Sequence, residues 1–526
     1  MKIILVCPPL KAPIDSWRYC PYHNWKFSFT AGDNGYSGVN MPICLLTSYL
    51  RHKDYETDML DAFLEDLSIE ETVDRVADYD LIGITVHSNV NLVDVKNVID
   101  KIKEKGKKGQ KIVLGGHYPS YFPEKTLREI GGDFVVRGEG EETMYRLVDC
   151  LAKNGDLSEV KGITFKHNED VVTTEPAEKI KDLDTVPFMA RDNIDRELSL
   201  KFVPALSSSR GCAYSDCGFC DIASFQKTSK GPFWRARSAK NVVDEIEYIT
   251  RKWNFKKFDF VDPNFVGGKQ GKKRAEEFAD ELIKRKLDVR YMFDTRVDEI
   301  EESLFRKLYE SGLRMVYLGI ESCVQRQLDY YKKNATPDLN NKAIEILRKI
   351  GITPLFGIIV FEPTTSLDEI RKNFNYFVGQ GGFNIYRFVR GIIPRFGTPM
   401  MEKFNVDGIL IEHYPDYRYK FNHQEVELLF NKSDEYAQKV FLLEKKYKKI
   451  ILQMISENKI RLDDEDSRSK LITLENSLKE KTTEHFNKIL KAFEENKSVS
   501  SEEIDKLIDK LSGELENVFS SVLKNV

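Results

Sequence analysis

Through residues 1–155, short runs of consecutive apolar positions alternate with stretches in which apolar residues recur every three or four places. The continuous runs lie at 3–6, 57–60, 81–86, 111–114 and 134–136. Between the third and fourth, Leu92, Val95, Val98, Ile99 and Ile102 keep the spacing of a helix with one buried face. Strands apolar on both faces, separated by amphipathic helices, predict a doubly wound parallel sheet in an α/β fold. A ligand of such a sheet binds beyond the carboxyl ends of its strands. There the chain places Pro8-Pro9, His87-Ser88-Asn89, Gly115-Gly116-His117-Tyr118-Pro119-Ser120 and Gly138-Glu139-Gly140-Glu141. Paired glycines let backbone approach a large flat ligand. No G-x-G-x-x-G follows the first strand, so a dinucleotide fits poorly. Residues 11–40 carry many Trp and Tyr rings without periodicity and read equally as a lid or as a satellite apolar cluster.

Residues 156–200 form a connector with one hairpin pattern, 162–165 and 171–173. Over 201–400 the alternation resumes, with strands predicted at 202–206, 258–261, 289–293, 315–320, 355–361 and 385–392. Six such units predict an open, partial (β/α)6 barrel with its site at the strand C-termini. Polar residues collect there: Asp262, Asn264, Asp294, Arg296, Glu321 and Glu362, with Arg387 on the sixth strand. Residues 401–526 turn to helix formers, with helices predicted near 424–458, 467–495 and 501–524. This helical C-terminal domain reads as a bundle closing the open side of the barrel, with substrate or partner recognition as the sharper alternative.

Bulk properties narrow the class. A net charge of −4 gives no reason to expect nucleic acid as a partner. No apolar stretch reaches the roughly 18 residues of a membrane span, and the opening run is too short for a signal peptide. The expected compartment is the cytoplasm, where a tight cysteine group binds metal more often than it forms disulfides.

Three of the eight cysteines, Cys212, Cys217 and Cys220, fall within nine residues on a loop after the first barrel strand. Thiolates so spaced can hold an iron–sulfur cluster or zinc. Structural zinc needs a fourth ligand; no Cys or His follows within a hundred residues, and the nearest upstream is His167. The site reads as deliberately open.

The Gly115–Ser120 segment, with Arg137-Gly138-Glu139-Gly140-Glu141 and Asn40-Met41-Pro42, closely resembles the cobalamin-binding, Rossmann-like domain fused to many radical S-adenosylmethionine (SAM) enzymes. Residues 200–400 resemble the radical SAM domain itself. That family spaces its cysteines C-x3-C-x2-C; here four residues separate Cys212 from Cys217, which predicts a bulged loop that still holds the cluster. Trp234-Arg235-Ala236-Arg237-Ser238, Gly319-Ile320-Glu321-Ser322 and Gly397-Thr398-Pro399 match the cobalamin-linked branch. The resemblance implies a [4Fe–4S] cluster on the three cysteines with SAM on the fourth iron. It implies Phe219 against the adenine, Glu321 on the ribose and Asp262 and Asn264 near the methionyl amine; charge suggests Arg387 for the carboxylate. For cobalamin it implies Pro9, His87, Ser88, Asn89, Gly115, Gly116, His117, Tyr118, Gly138, Glu139 and Gly140. The D-x-H-x-x-G loop that supplies histidine to cobalt elsewhere is missing, so His87 and His117 read as surface or core residues.

By the same resemblance the reaction is hydrogen abstraction followed by methyl transfer from methylcobalamin to an unactivated carbon or a phosphinate. Radical cyclisation or ring rearrangement is the alternative enzyme class, and a corrinoid-binding sensor without catalysis the alternative outside it. The expected partners are a small-molecule or peptide substrate and an electron donor such as flavodoxin or ferredoxin. Tyr386 and Asp294 are the positional choices for catalytic groups.

Overall fold

Each of the five N-terminal apolar runs forms a strand in the computed structural model, which describes residues 1–9, 40–86, 92–199, 202–412, 418–457 and 464–522. The aromatic stretch 11–40, apart from Asn40, and His87, Ser88 and Asn89 lie outside the described residues. Strands β1 (Ile3–Cys7), β2 (Thr57–Asp61), β3 (Leu81–Thr85), β4 (Lys111–Gly115) and β5 (Phe134–Val136) run parallel in the order β2-β1-β3-β4-β5. Every residue of β1 and β3 is buried, which is why these strands read as continuous rather than alternating runs. Helices α1 (Met41–His52) and α5 (Gly140–Ala152) bury Ile43, Leu50, Met144 and Leu147 on one face. Helices α2 (Ile69–Val76) and α3 (Leu92–Lys105) bury Val73, Val95, Val98 and Ile99 on the other. The short helix α4 (His117–Tyr121) leaves the carboxyl end of β4. The connector hairpin, β6 (Ile163–His167) and β7 (Asp170–Thr173), pairs antiparallel onto β5 and extends the sheet to seven strands.

The second sheet begins with β8 (Ala205–Leu206). A ribbon of β9 (Ser209–Gly211) and β10 (Trp234–Ala236) then brackets the cysteine loop and helix α6 (Asp221–Gln226). Strands β11 (Lys257–Phe260), β12 (Arg290–Thr295), β13 (Leu313–Glu321) and β14 (Thr353–Ile358) complete a parallel sheet ordered β14-β13-β12-β11-β8. Five helices cover its outside: α7 (Ala239–Trp253), α8 (Gly268–Lys284), α9 (Glu302–Glu310), α10 (Pro337–Ile350) and α11 (Leu367–Gly379).

The sixth predicted strand, 385–392, is a correction. Residues Ile385–Phe388 form a short helix whose Asn384 side chain accepts from Arg387 N at 3.1 Å. Ile385, Phe388, Val389 and Ile392 are buried at helical spacing, so one face suffices to seat them. The sheet therefore has five strands where the (β/α)6 reading expects six. Helices α12 (Gln424–Ser456), α13 (Glu465–Glu494) and α14 (Ser501–Val522) form a bundle against that side. Phe374 and Phe388 meet Phe486 at 5.7 and 5.5 Å, and Arg371 pairs with Glu494 at 2.6 Å. Ser500 and Glu503 form a capping box at the start of α14.

Candidate functional site

A cavity of about 280 Å³ lies between the carboxyl ends of the first sheet's strands and the flanks of the cysteine loop. Its floor is made by Gly83, Thr85, Gly115, Gly116, Gly138 and Gly140 among apolar side chains. The small residues keep that floor open. A Cβ on Gly83 would fall 2.5 Å from Leu5 Cδ2, and one on Gly116, at φ +114°, 2.4 Å from the Val86 carbonyl oxygen. The facing wall is Ser209, Arg210, Gly211, Ile222, Phe225 and Gln226. Thr85 Oγ1 and Gln226 Oε1 are buried in this lining without a hydrogen-bond partner among the described residues. Buried polar atoms are normally paired. An apolar, glycine-floored cavity with two unpaired polar atoms fits a broad ring edged with amides.

The expected cobalamin residues divide. Gly115, Gly116, His117, Gly138, Glu139 and Gly140 line the cavity. Pro9 is buried off its wall, and Tyr118 turns into the core, 5.2 Å from Phe122 and 5.5 Å from Phe396. Its neighbours Pro119 and Ser120 are buried as well, so helix α4 carries that ring inward. His117 sits at the rim, stacked 4.2 Å from Phe225 with Nδ1 3.3 Å from Asp221 Oδ2.

The loop between β9 and α6 presents the three thiols, each partly buried. Gly218 N donates to the Tyr331 carbonyl at 2.8 Å, and Met400 N to the Gly218 carbonyl at 2.9 Å. Within the loop, the Tyr214 hydroxyl donates to the Lys332 carbonyl at 2.8 Å, and its ring lies beneath the Arg296 guanidinium. Burial pushes the Cys212 thiol up to about 11 and Cys220 up to about 12, and neighbouring thiols add to both shifts. Burial raises Cys217 too, against Lys333 and Arg296. Among the described residues no three His, Cys, Asp or Glu side chains converge on one ion. Three thiols presented on one short loop fit a cubane in which each binds its own iron.

Beside the loop, Glu321 ends β13 at φ +61° and accepts from Lys333 Nζ at 2.8 Å. The Phe219 ring lies 5.8 Å from Tyr331 and 6.0 Å from Lys333 Nζ. Phe219, Glu321 and the cysteines thus share one mouth. Asp262 and Asn264 are fully engaged in the scaffold. Asp262 Oδ1 accepts from Ser208 N at 2.7 Å and its other oxygen from Ser208 Oγ. Asn264 Nδ2 donates to Glu299 Oε2 at 3.0 Å, and its Oδ1 accepts from Gly267 N. Arg387 donates to the Phe356 carbonyl at 2.9 Å and lies over the Tyr317 ring. Burial pushes the Asp294 carboxyl well above the usual range, Asp259 and Asp262 add to the rise, and Arg387 opposes it. Tyr386 lies away from the mouth, buried beside Phe441 and Glu444 of α12, because its segment is helical. Lys333 and Gln226 escaped the sequence reading: Lys333 is one of two adjacent lysines, with no pattern marking it.

Residues 29–148 match the model of the B12 binding domain, and residues 206–377 that of the Radical SAM superfamily. An uncharacterized methyltransferase of Pyrococcus horikoshii is 28% identical over 382 residues, covering 72% of this chain and 77% of that protein. The anaerobic magnesium-protoporphyrin IX monomethyl ester cyclase of Rubrivivax gelatinosus is 30% identical over 351 residues, covering 63% and 60%. Against two further relatives the chain spans about half of their length, 48% and 50%. The solved structure of the cobalamin-dependent S-adenosylmethionine radical enzyme OxsB, with aqua-cobalamin and S-adenosylmethionine bound, superposes with a TM-score of 0.75 at 18% identity. That match covers 100% of this chain and 80% of OxsB, and is a likeness of fold.

Proposed function

The chain belongs to the cobalamin-dependent radical SAM enzymes, and on that premise we propose that it methylates an unactivated carbon or phosphinate centre of a small-molecule or peptide substrate. One observation carries the reading. A single cavity is floored by the glycine turns of the first sheet and walled by the residues that flank the cysteine loop. A cofactor held in this cavity would lie against the segments that flank the cysteine loop.

We assign residues 1–155 to cobalamin, with the 156–200 connector adding its hairpin to that sheet, residues 201–400 to SAM and the cluster, and 401–526 to a helical domain. When bound, the cluster with SAM supplies a carbon-centred radical and cobalamin a methyl carrier. Cys212, Cys217 and Cys220 hold the cluster, and their proton release on binding makes loading favour alkaline conditions. Phe219 and Glu321 hold the nucleoside of SAM, and Lys333 supplies the buried positive charge beside them. Asp262 and Asn264 act one step back, by fixing Ser208 and the turn at Gly267. Asp294, whose carboxyl burial pushes well above the usual range, lies inside the barrel beside Arg387. Gln226 and Thr85 pair with polar groups of the cobalamin. Such cofactors suit the reducing cytoplasm, with a flavodoxin or ferredoxin as electron source. No helix among the described residues is long and apolar enough to cross a membrane.

Radical cyclisation is the second reading, favoured by the likeness to the Rubrivivax gelatinosus cyclase. Anaerobic reconstitution with iron, sulfide and hydroxocobalamin, then reduction in the presence of SAM, separates them. Methyl transfer yields 5′-deoxyadenosine together with S-adenosylhomocysteine. A cyclase yields 5′-deoxyadenosine alone. A well-folded preparation giving neither product would leave only the corrinoid sensor.

A further inference from the structure

The cysteine loop is tied to the first domain immediately before its first cysteine and immediately after its last. Arg210 lies two residues before Cys212 on β9. Its Nη2 donates to Glu141 Oε1 at 2.5 Å and its Nη1 to Glu139 Oε2 at 3.3 Å. Directly across the ribbon, Arg235 of β10 is the register partner of Arg210. It donates to the same Glu139 through both terminal nitrogens and to the Ile180 carbonyl. Side chains directly opposite on two strands share one face, so two arginines close on one carboxylate. Glu139 caps α5 and Glu141 lies in its first turn, where the helix end also favours negative charge. All four side chains are at most 15% exposed.

The other end is held by Asp221, the residue after Cys220. Its Oδ2 meets His117 Nδ1 at 3.3 Å, its carbonyl accepts from the Tyr121 hydroxyl at 3.1 Å, and Arg395 pairs with the same carboxylate. The two anchors on the first domain, Glu139 with Glu141 and His117 with Tyr121, stand in the segments that follow β5 and β4. Those segments carry Gly138, Gly140, Gly115 and Gly116, which floor the cavity.

Resting on the cofactor assignment above, we propose that Arg210 and Asp221 are positioning residues that fasten both ends of the cysteine loop to the rim of the cobalamin cavity and so couple the filling of the two cofactor sites. A cluster bonded to three cysteines fixes the loop between the anchors. The anchors pass that order to the glycine turns, so cobalamin meets a rim already set in place. By linkage the effect is reciprocal: cobalamin favours cluster retention by the same factor.

The test is a titration of hydroxocobalamin into the full chain, with and without reconstituted cluster, iron being assayed in the same samples. The wild-type protein should bind hydroxocobalamin at least about fivefold more tightly when it carries the cluster. Arg210→Met and Asp221→Asn should each bring that ratio towards one, while Arg210→Lys, which keeps the charge, should retain most of it. A residue that merely supported the fold would weaken binding equally in both states and leave the ratio alone. Ratios in Arg210→Met and Asp221→Asn equal to wild type, or a wild-type ratio of one, would overturn the coupling. Should Arg210→Met fail to fold, the near-isosteric Asp221→Asn decides. A wild-type protein that took up no cobalamin would sink the functional reading as well; uptake without coupling would sink this inference alone.

Discussion

Lys333 Nζ lies 2.8 Å from Glu321 Oε1, and the two side chains are only 8% and 9% exposed. The barrel mouth therefore contains a desolvated ion pair next to Cys217. Removing one partner leaves the other charge buried and alone, which costs about 3–5 kcal/mol. Lys333→Met and Glu321→Gln should each lower stability on that scale, and the double variant should be less destabilised than the sum. Urea unfolding of the four proteins in a double-mutant cycle measures this. Strict additivity would mean that the pair is not mutually dependent.

Gly116 offers a test of the cavity floor. Its φ of +114° is unfavourable for any residue with a side chain, and a Cβ there would sit 2.4 Å from the Val86 carbonyl oxygen. That atom is backbone and cannot swing aside. Gly116→Ala should cost about 1–3 kcal/mol and lower hydroxocobalamin uptake, while the cysteine loop still takes up iron. Gly138→Ala should be milder, because the atom in its way is the Ser229 hydroxyl, the end of a side chain that can rotate.

Legibility in the sequence followed the range of the interaction. Among the five parallel strands of the first sheet, β1 and β3 were the most readable because both their faces are buried, which leaves unbroken runs such as 81–85. The segment 385–392 was misread as a strand although its buried positions carry a helical interval, and Asn384 stands where a cap would. The three cysteines stood out by their spacing, because they share one loop within nine residues. Arg210 with Glu139 and Glu141 did not, since the partners are 71 and 69 residues apart and only the fold brings them together. Asp262 and Asn264 could be placed at a strand end, but their hydrogen bonds to Ser208 and Glu299 could not be foreseen, because those partners lie 54 and 35 residues away.

Glu197 predicts a pH dependence. It is 1% exposed, and its Oε2 has no hydrogen-bond partner among the described residues. Burial raises its carboxyl from 4.5 to about 7, with Arg191 opposing and Asp61 adding. A folded-state value above the unfolded one means the folded protein binds the proton more tightly. Below about pH 4.5 both states are protonated and nothing is lost. Between there and about pH 7 the unfolded chain ionises first, so stability falls as pH rises, then levels off. At roughly 1.4 kcal/mol per pKa unit the loss is on the order of 3 kcal/mol. Glu197→Gln should melt at a higher temperature than wild type at pH 8, with the gap closing towards pH 5. A gap that stayed constant over this range would show that Glu197 does not titrate there.

The two positional choices for catalytic groups should behave oppositely. Tyr386 is 4% exposed, its ring 6.4 Å from Phe441, and both burial and the adjacent Glu444 push its hydroxyl far up. Its surroundings are the helical bundle, so Tyr386→Phe should cost about 1 kcal/mol in stability and leave SAM cleavage to 5′-deoxyadenosine unaltered. Asp294 faces Arg387, Asp259 and Asp262 inside the barrel, and burial pushes its carboxyl well above the usual range. An amide has the same shape and no charge, so Asp294→Asn should match wild type in melting temperature at low pH, where the carboxyl is protonated. It should surpass wild type as pH rises, because only the acid can be ionised and lose stability. Melting curves on both variants, run beside a 5′-deoxyadenosine assay, decide the matter. Loss of SAM cleavage in Tyr386→Phe would return that hydroxyl to the site. Severe destabilisation of Asp294→Asn at pH 7 would show that Asp294 is held there as the anion.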